Sequence, residues 1–295
     1  MKHRIDPKVD CVFKSILGKE ENRNLLIHFL NAVLEPAEGI RIKDVKILNP
    51  YNEKEFIGAK LTVVDVKALD EKGKRYQIEI QMALHPAMSS RMLFTWSSIY
   101  HSQIREGDDY AKLHPVISVW IVDGNLFPEK DDCHLSFQVY DKTHSTLLTD
   151  HLNIHVLQLP KWKQGDKVRS EKDRWIYFFK EGENIDTDSL PKILDTEEMR
   201  QAMKVLQNFS KNQKEWLLYQ SRLDAILERN TWLRTIDQTK KELVKTRKEI
   251  DKTRKEAEKT RKRAERSEKE KLQTEKKLRH LQSLLKEKGI EIKEL

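Results

Sequence analysis

Apolar and polar positions alternate most sharply between Leu61 and Met82, in the stretch LTVVDVKALDEKGKRYQIEIQM. Side chains two apart along a strand share a face, and two apolar-rich, β-branched runs flank Asp70-Glu71-Lys72-Gly73. A loop of Glu71, Lys72 and Gly73, a type I turn closed by a left-handed glycine, joins them as a hairpin. That register sets Asp70 against Lys74, Lys67 against Gln77 and Asp65 against Glu79. One face carries Thr62, Val64, Val66 and Ala68 against Tyr76, Ile78, Ile80 and Met82, and is predicted to be core. The other carries Asp65, Lys67, Gln77, Glu79 and Gln81.

Elsewhere the period changes. Leu25, Leu26, Phe29, Leu30, Val33 and Leu34 recur at helical spacing after a Gly18 break, which predicts an amphipathic helix over residues 20–34. Ile40, Ile42, Val45 and Ile47 alternate with polar neighbours until Asn49-Pro50, predicting a strand over 41–48. His85-Pro86 closes the hairpin, since proline cannot donate to a ladder. Met88, Met92, Thr95 or Trp96, Ile99 and Gln103 then predict a helix over 87–103. VISVWIV (Val116 to Val122) is continuously apolar, as for a strand buried on both faces. Leu135 to Tyr140 and Ile154 to Leu159 read as further strands. Trp175 to Phe179 opens a helical segment, and a second apolar helical periodicity runs from Thr196 to about Arg229.

From Thr239 the chain repeats every seven residues, as KTRKEID, KTRKEAE and KTRKRAE. Leu243, Ile250, Ala257 and Ala264 occupy one seam position and Thr246, Thr253, Thr260 and Ser267 the other, a weak coiled-coil seam that Leu278, Leu281 and Leu285 strengthen. A lone helix held by Lys/Arg to Glu pairs three and four apart is the competing reading. A basic tail that touches nucleic acid is a third, and salt sensitivity would reveal it.

Charge supports a division of the chain. Residues 239–295 hold 21 Lys plus Arg against 12 Asp plus Glu, which leaves 35 against 36 of the chain's 56 and 48 for residues 1–238. The pI of about 9.2 therefore describes the tail and does not make the rest a nucleic-acid binder. Cys11 and Cys133 are too few for a disulfide framework and have no metal-ligand spacing, so reduced thiols in a cytoplasmic setting are expected. No apolar signal core or membrane-length apolar run is present. Neither is a Walker loop, nucleophile elbow or paired-histidine zinc motif, so no nucleotide cofactor is expected. His134, His144, His151 and His155 cluster in sequence without a recognised ligand spacing, and are expected on the surface or in packing.

The polar face of the hairpin has two readings. Asp65, Lys67, Glu79 and Gln81 are the solvated side of a half-buried pair, or two carboxylates one cross-strand spacing apart form a site for a hard divalent cation. Magnesium suits the second reading. It is commonly held by one or two carboxylates and activates water for attack on phosphorus. Lys67, two residues beyond Asp65 on the same face, is able to swing its ammonium toward a phosphate or to pair with a carboxylate.

Asp65 followed across the hairpin by Glu79-Ile80-Gln81 resembles the motif of PD-(D/E)xK nucleases. More narrowly, DCVFKSILGKEENRNLLIHFLNAVL (Asp10 to Leu34), VVDVKALDEKGKRYQIEIQ (Val63 to Gln81) and the helix ending in HSQIREGDDY (His101 to Tyr110) resemble the Rpn family of recombination-promoting nucleases, also described as PD-(D/E)xK family transposases. Gln81 departs from that pattern, standing where the superfamily name expects Lys. The resemblance implies an α/β restriction-endonuclease-like core of order α-β-β-β-α-β over residues 1–180. A helical extension (181–236) and a charged heptad-repeat tail (237–295) able to self-associate follow it. It further implies metal-dependent hydrolysis of DNA in recombination, mobile-element or defence settings. Asp65, Glu79 and the Ile80 carbonyl would then hold Mg2+ or another divalent cation, and Gln81 or Lys67 would orient water or neutralise the scissile phosphate. Glu21 is a further metal ligand on this reading, although an acidic first helical turn also simply complements the helix dipole. Arg91 and the Tyr100/Gln103 pair are expected to reach a phosphate or a base edge of nucleic acid, against the plainer reading of Arg91 as an exposed helical arginine with no such role. The rival is a non-cleaving scaffold, a degenerate nuclease fold that binds DNA or oligomerises through its tail.

Overall fold

A computed structural model describes residues 3–36, 40–49, 65–163, 168–186 and 189–287. The order along the chain is α1 (Asp10–Leu17), α2 (Arg23–Leu34), β1 (Val45–Leu48), β2 (Val66–Asp70), β3 (Arg75–Gln81), α3 (Met88–His101), β4 (Val116–Val122), β5 (His134–Tyr140), β6 (Leu147–Gln158), α4 (Glu171–Glu181), α5 (Glu197–Lys211) and α6 (Gln213–Glu287). It is a mixed α/β fold. One sheet runs β1-β2-β3-β4-β6-β5, with β3, β4 and β6 parallel and the other pairs antiparallel. Residues cluster into two units, one ending at Glu228 and one starting at Arg229.

The hairpin forms in the expected register. Lys67 pairs with Gln77 and Val66 with Ile78, and Asp70 N–H donates to the Lys74 carbonyl at 3.0 Å. Gly73 closes the loop at φ +82°, a left-handed conformation that glycine adopts without a Cβ clash. Asp70 Oδ1 accepts the N–H groups of Lys72 and Lys74, and Oδ2 accepts the Tyr76 hydroxyl at 2.8 Å. Val66, Ala68, Tyr76, Ile78 and Ile80 enter the main core with residues of α1, α2, α4 and α5. Thr62 and Val64, expected on the same face, lie outside the described residues, as do Pro50 and the last eight residues of the tail.

Three element boundaries differ from expectation for local reasons. Strand β1 begins only at Val45, because the Asn31 side-chain amide takes both backbone groups of Ile42, donating to its carbonyl at 2.9 Å and accepting its N–H at 3.0 Å. Strand β6 starts at Leu147 rather than Ile154; its first residues, Leu147 to His151, have no partner on β4 and stay largely exposed, so no buried pattern marks them. The periodicity beginning at Thr196 is broken at Asn212, whose Oδ1 accepts the N–H groups of Lys214 and Glu215 and starts α6. Among the described residues, no helix is long and apolar enough to cross a membrane.

The sheet is covered on both faces. The even-numbered residues of β3 and the odd-numbered Ile117, Val119 and Ile121 of β4 face the main core. On the other side Met88 and Met92 of α3 pack with Trp120, Val122, Ile154 and Val156. Because Gln77 pairs with Ser118 and Glu79 with Trp120, the polar residues of β3 lie on the α3 face. Helix α3 is therefore the element that takes that face out of water.

Candidate active site

Backbone direction along β3 sets the geometry. Arg75 N–H donates to the Pro115 carbonyl and the Gln81 carbonyl accepts from Asp123 N–H, so odd-numbered residues turn their backbone groups toward β4 and even-numbered ones toward β2. Asp65 and Glu79, the next pair beyond Val66 and Ile78, thus occupy a non-hydrogen-bonded position, where facing side chains come closest. Ile80 directs its backbone toward β2, and its N–H donates to Asp65 Oδ2 at 3.0 Å. Its carbonyl turns to the same side.

A closed set of contacts joins the polar groups. Asp65 N–H donates to Glu79 Oε1 at 3.2 Å, and Gln81 Nε2 donates to Glu79 Oε2 at 3.2 Å. Arg91, in the first turn of α3, donates to Gln81 Oε1 at 3.1 Å and reaches Glu79 Oε2 at 3.4 Å, with its guanidinium over the Trp120 ring at 5.5 Å. From the other side Lys14 of α1 places Nζ 3.2 Å from Asp65 Oδ1 and 3.9 Å from Asp10 Oδ2. Sequence reasoning missed Lys14. Helix α1 is eight residues long, and only the tertiary fold reveals which strand residue it meets.

This face is not solvated. Glu79 is 1% exposed, Gln77 0% and Lys67 8%. Burial first, and then the neighbouring Asp65 charge, push the Glu79 carboxyl up to about 8; Arg91, the Asp65 N–H and the Gln77 amide oppose the rise. Burial also raises Asp65, against the pull of the Ile80 N–H and Lys14. The two acids therefore hold a proton well above the ordinary carboxylate range. Buried acids that resist ionisation are a common mark of functional sites. The donor set consists of oxygens, two carboxylates and the Ile80 carbonyl, and oxygen donors fit a hard divalent cation.

The remaining candidates are dispersed. Lys67 shares the face one pair further along, opposite Gln77. Glu21 sits apart, its side chain 71% exposed and ion-paired with Lys19 at 3.6 Å, and no third acid, histidine or cysteine joins Asp65 and Glu79 among the described residues. Arg91 is engaged with Gln81 and Glu79, leaving a side chain 42% exposed. Tyr100 bonds His151, and the Gln103 amide bonds the His114 backbone. The histidines pair off locally, His134 with His155 at 3.0 Å and His144 with Asp141. Burial pulls both His134 and His155 down to about 4, as for neutral packing rings.

Residues 7–235 match the model of a family described as PD-(D/E)XK nuclease family transposase. No curated protein and no solved structure matches the chain.

Proposed function

The chain belongs to the PD-(D/E)XK nuclease family transposases, and from that premise we propose that it is a cytoplasmic, divalent-metal-dependent DNA endonuclease acting in recombination, mobile-element or defence settings. The observation that carries this reading is the Asp65–Glu79 pair, two acids from adjacent strands that share a buried face, with Asp65 N–H donating to Glu79, Gln81 and Arg91 on Glu79, and Lys14 on Asp65. A magnesium ion held there would supply Lewis-acid stabilisation of the phosphoryl oxygens and a lowered water pKa. In the proposal Asp65, Glu79 and the Ile80 carbonyl hold it. The free thiols Cys11 and Cys133 accord with a reducing compartment. The test is supercoiled plasmid incubated with the full-length protein. Nicking in magnesium and none in EDTA is expected, and an intact plasmid in both magnesium and manganese overturns the reading.

The place of the missing motif lysine has three contenders. A preorganised cation beside the scissile phosphate commonly contributes about 3 kcal/mol in the transition state, and Gln81 offers only neutral hydrogen bonds. Lys14 places its ammonium 3.2 Å from Asp65 Oδ1 with a side chain 39% exposed, open to an incoming phosphate, whereas Lys67 is 8% exposed one pair away. We therefore assign the compensating charge to Lys14. Single-turnover cleavage by Lys14→Met is expected to fall by about 100-fold, with Lys67→Met affected less. Normal cleavage by Lys14→Met together with loss in Gln81→Met would instead give Gln81 the task of positioning water.

A further inference from the structure

Residues 229–287 are helical throughout, and the seven-residue frame runs through them without a break. Counting from Ile236, one seam holds Ile236, Leu243, Ile250, Ala257, Ala264 and Leu278, with Lys271 at the remaining turn. The second seam runs from Trp232 through the threonines to Leu281. The large apolar members of both seams are bare: Leu243 is 66% exposed and Ile250 61% on the first, Trp232 64% and Leu281 56% on the second. Four of the seam threonines already use their hydroxyls within the helix. Thr239, Thr253, Thr260 and Thr274 each donate to the carbonyl four residues back, at 2.8 to 3.0 Å, so those four positions can be buried without orphaning a hydroxyl donor.

The flanks of the seam say what covers it. Glu242, Glu249, Glu256 and Arg263 occupy one flank; Arg247, Arg254, Arg261 and Glu268 occupy the other, each five residues on. In two parallel, in-register helices a residue of the first flank faces the residue five further along the partner. All four such pairs are Glu with Arg, and the sign exchanges on both flanks together at Arg263 and Glu268. Only Glu270 against Glu275 is like-charged. An antiparallel pair sets each flank against its own kind, where runs of arginine and runs of glutamate have to be matched against themselves. β-branched Ile236 and Ile250 at the first seam, with a single Lys271, favour two strands.

We propose that residues 232–281 form a parallel, in-register two-stranded coiled coil with a second copy of this chain. The inference stands apart from the chemistry at Asp65 and Glu79. Sedimentation equilibrium of the full-length protein at micromolar concentration is expected to give twice the chain mass. A variant carrying Arg247→Glu, Arg254→Glu and Arg261→Glu should sediment as monomer, as should one carrying Glu242→Lys, Glu249→Lys and Glu256→Lys, and mixing the two should restore the doubled mass. Thr239→Cys, at a seam position, should give a cross-linked dimer on oxidation that the parent chain with its two native cysteines does not. A monomeric or trimeric parent, or mixing that restores nothing, overturns the proposal. So does a dimer that Thr239→Cys fails to cross-link, since only the parallel register brings position 239 against itself.

Discussion

Asp65→Ala and Glu79→Ala are each expected to reduce magnesium-dependent nicking of plasmid by three orders of magnitude or more while leaving the fold in place. A metal ion and the charge it brings commonly contribute several kcal/mol to a transition state, and about 1.4 kcal/mol corresponds to a factor of ten. Neither side chain belongs to the apolar core. Asp65 accepts from the Ile80 N–H and Lys14, while Glu79 accepts from the Asp65 N–H, Gln81 and Arg91. Removing one acid relieves the repulsion that raises the other, which offsets part of the lost hydrogen bonding. Circular dichroism and the thermal midpoint therefore serve as the control. Wild-type nicking by either variant, with the fold retained, would mean that the acids are structural and that any chemistry lies elsewhere.

The hairpin was legible because two independent signals coincide there, a period-two alternation and a loop that requires a left-handed glycine. Together they set the register, and the register alone brings Asp65 to Glu79. The environment of that pair was not legible. An alternating polar face looks the same in sequence whether water or a helix covers it, and here the cover comes from Met88 and Met92 of α3 and Trp120 of β4. Arg91 illustrates the same limit. On a helical wheel it is an exposed arginine free to meet nucleic acid, whereas in the fold its guanidinium closes a ring with Gln81 and Glu79. Lys14 was invisible for a different reason. Its partner lies 51 residues away on another element, and no local periodicity encodes such a contact. Where strand alternation misled, at residues 41–44, a single side chain decided the outcome, since Asn31 satisfies the backbone of Ile42 and leaves it nothing to offer a neighbouring strand.

Burial of Glu79 should make stability and magnesium affinity depend on pH in opposite directions. Its carboxyl titrates near the ordinary 4.5 in the unfolded chain and at about 8 in the fold, so between those values the folded state binds more protons. Stability then falls as pH rises through that window. Below about pH 4.5 both states are protonated and the effect vanishes. Asp65 is raised as well and titrates with Glu79, so the fall belongs to the pair as a whole and is on the order of a few kcal/mol by pH 9. Glu79→Gln is neutral at every pH and should flatten the slope. The slope is the quantity to read, because the amide also rearranges its contacts with Gln81 and Arg91. A magnesium ion held by this pair would need it deprotonated, so affinity should strengthen up to about pH 8 and binding should release protons. Denaturant unfolding of the wild type and Glu79→Gln from pH 5 to 9, with and without magnesium, tests both halves. Parallel slopes in the two proteins, or a magnesium affinity that does not change with pH, would show that Glu79 is already ionised in the fold.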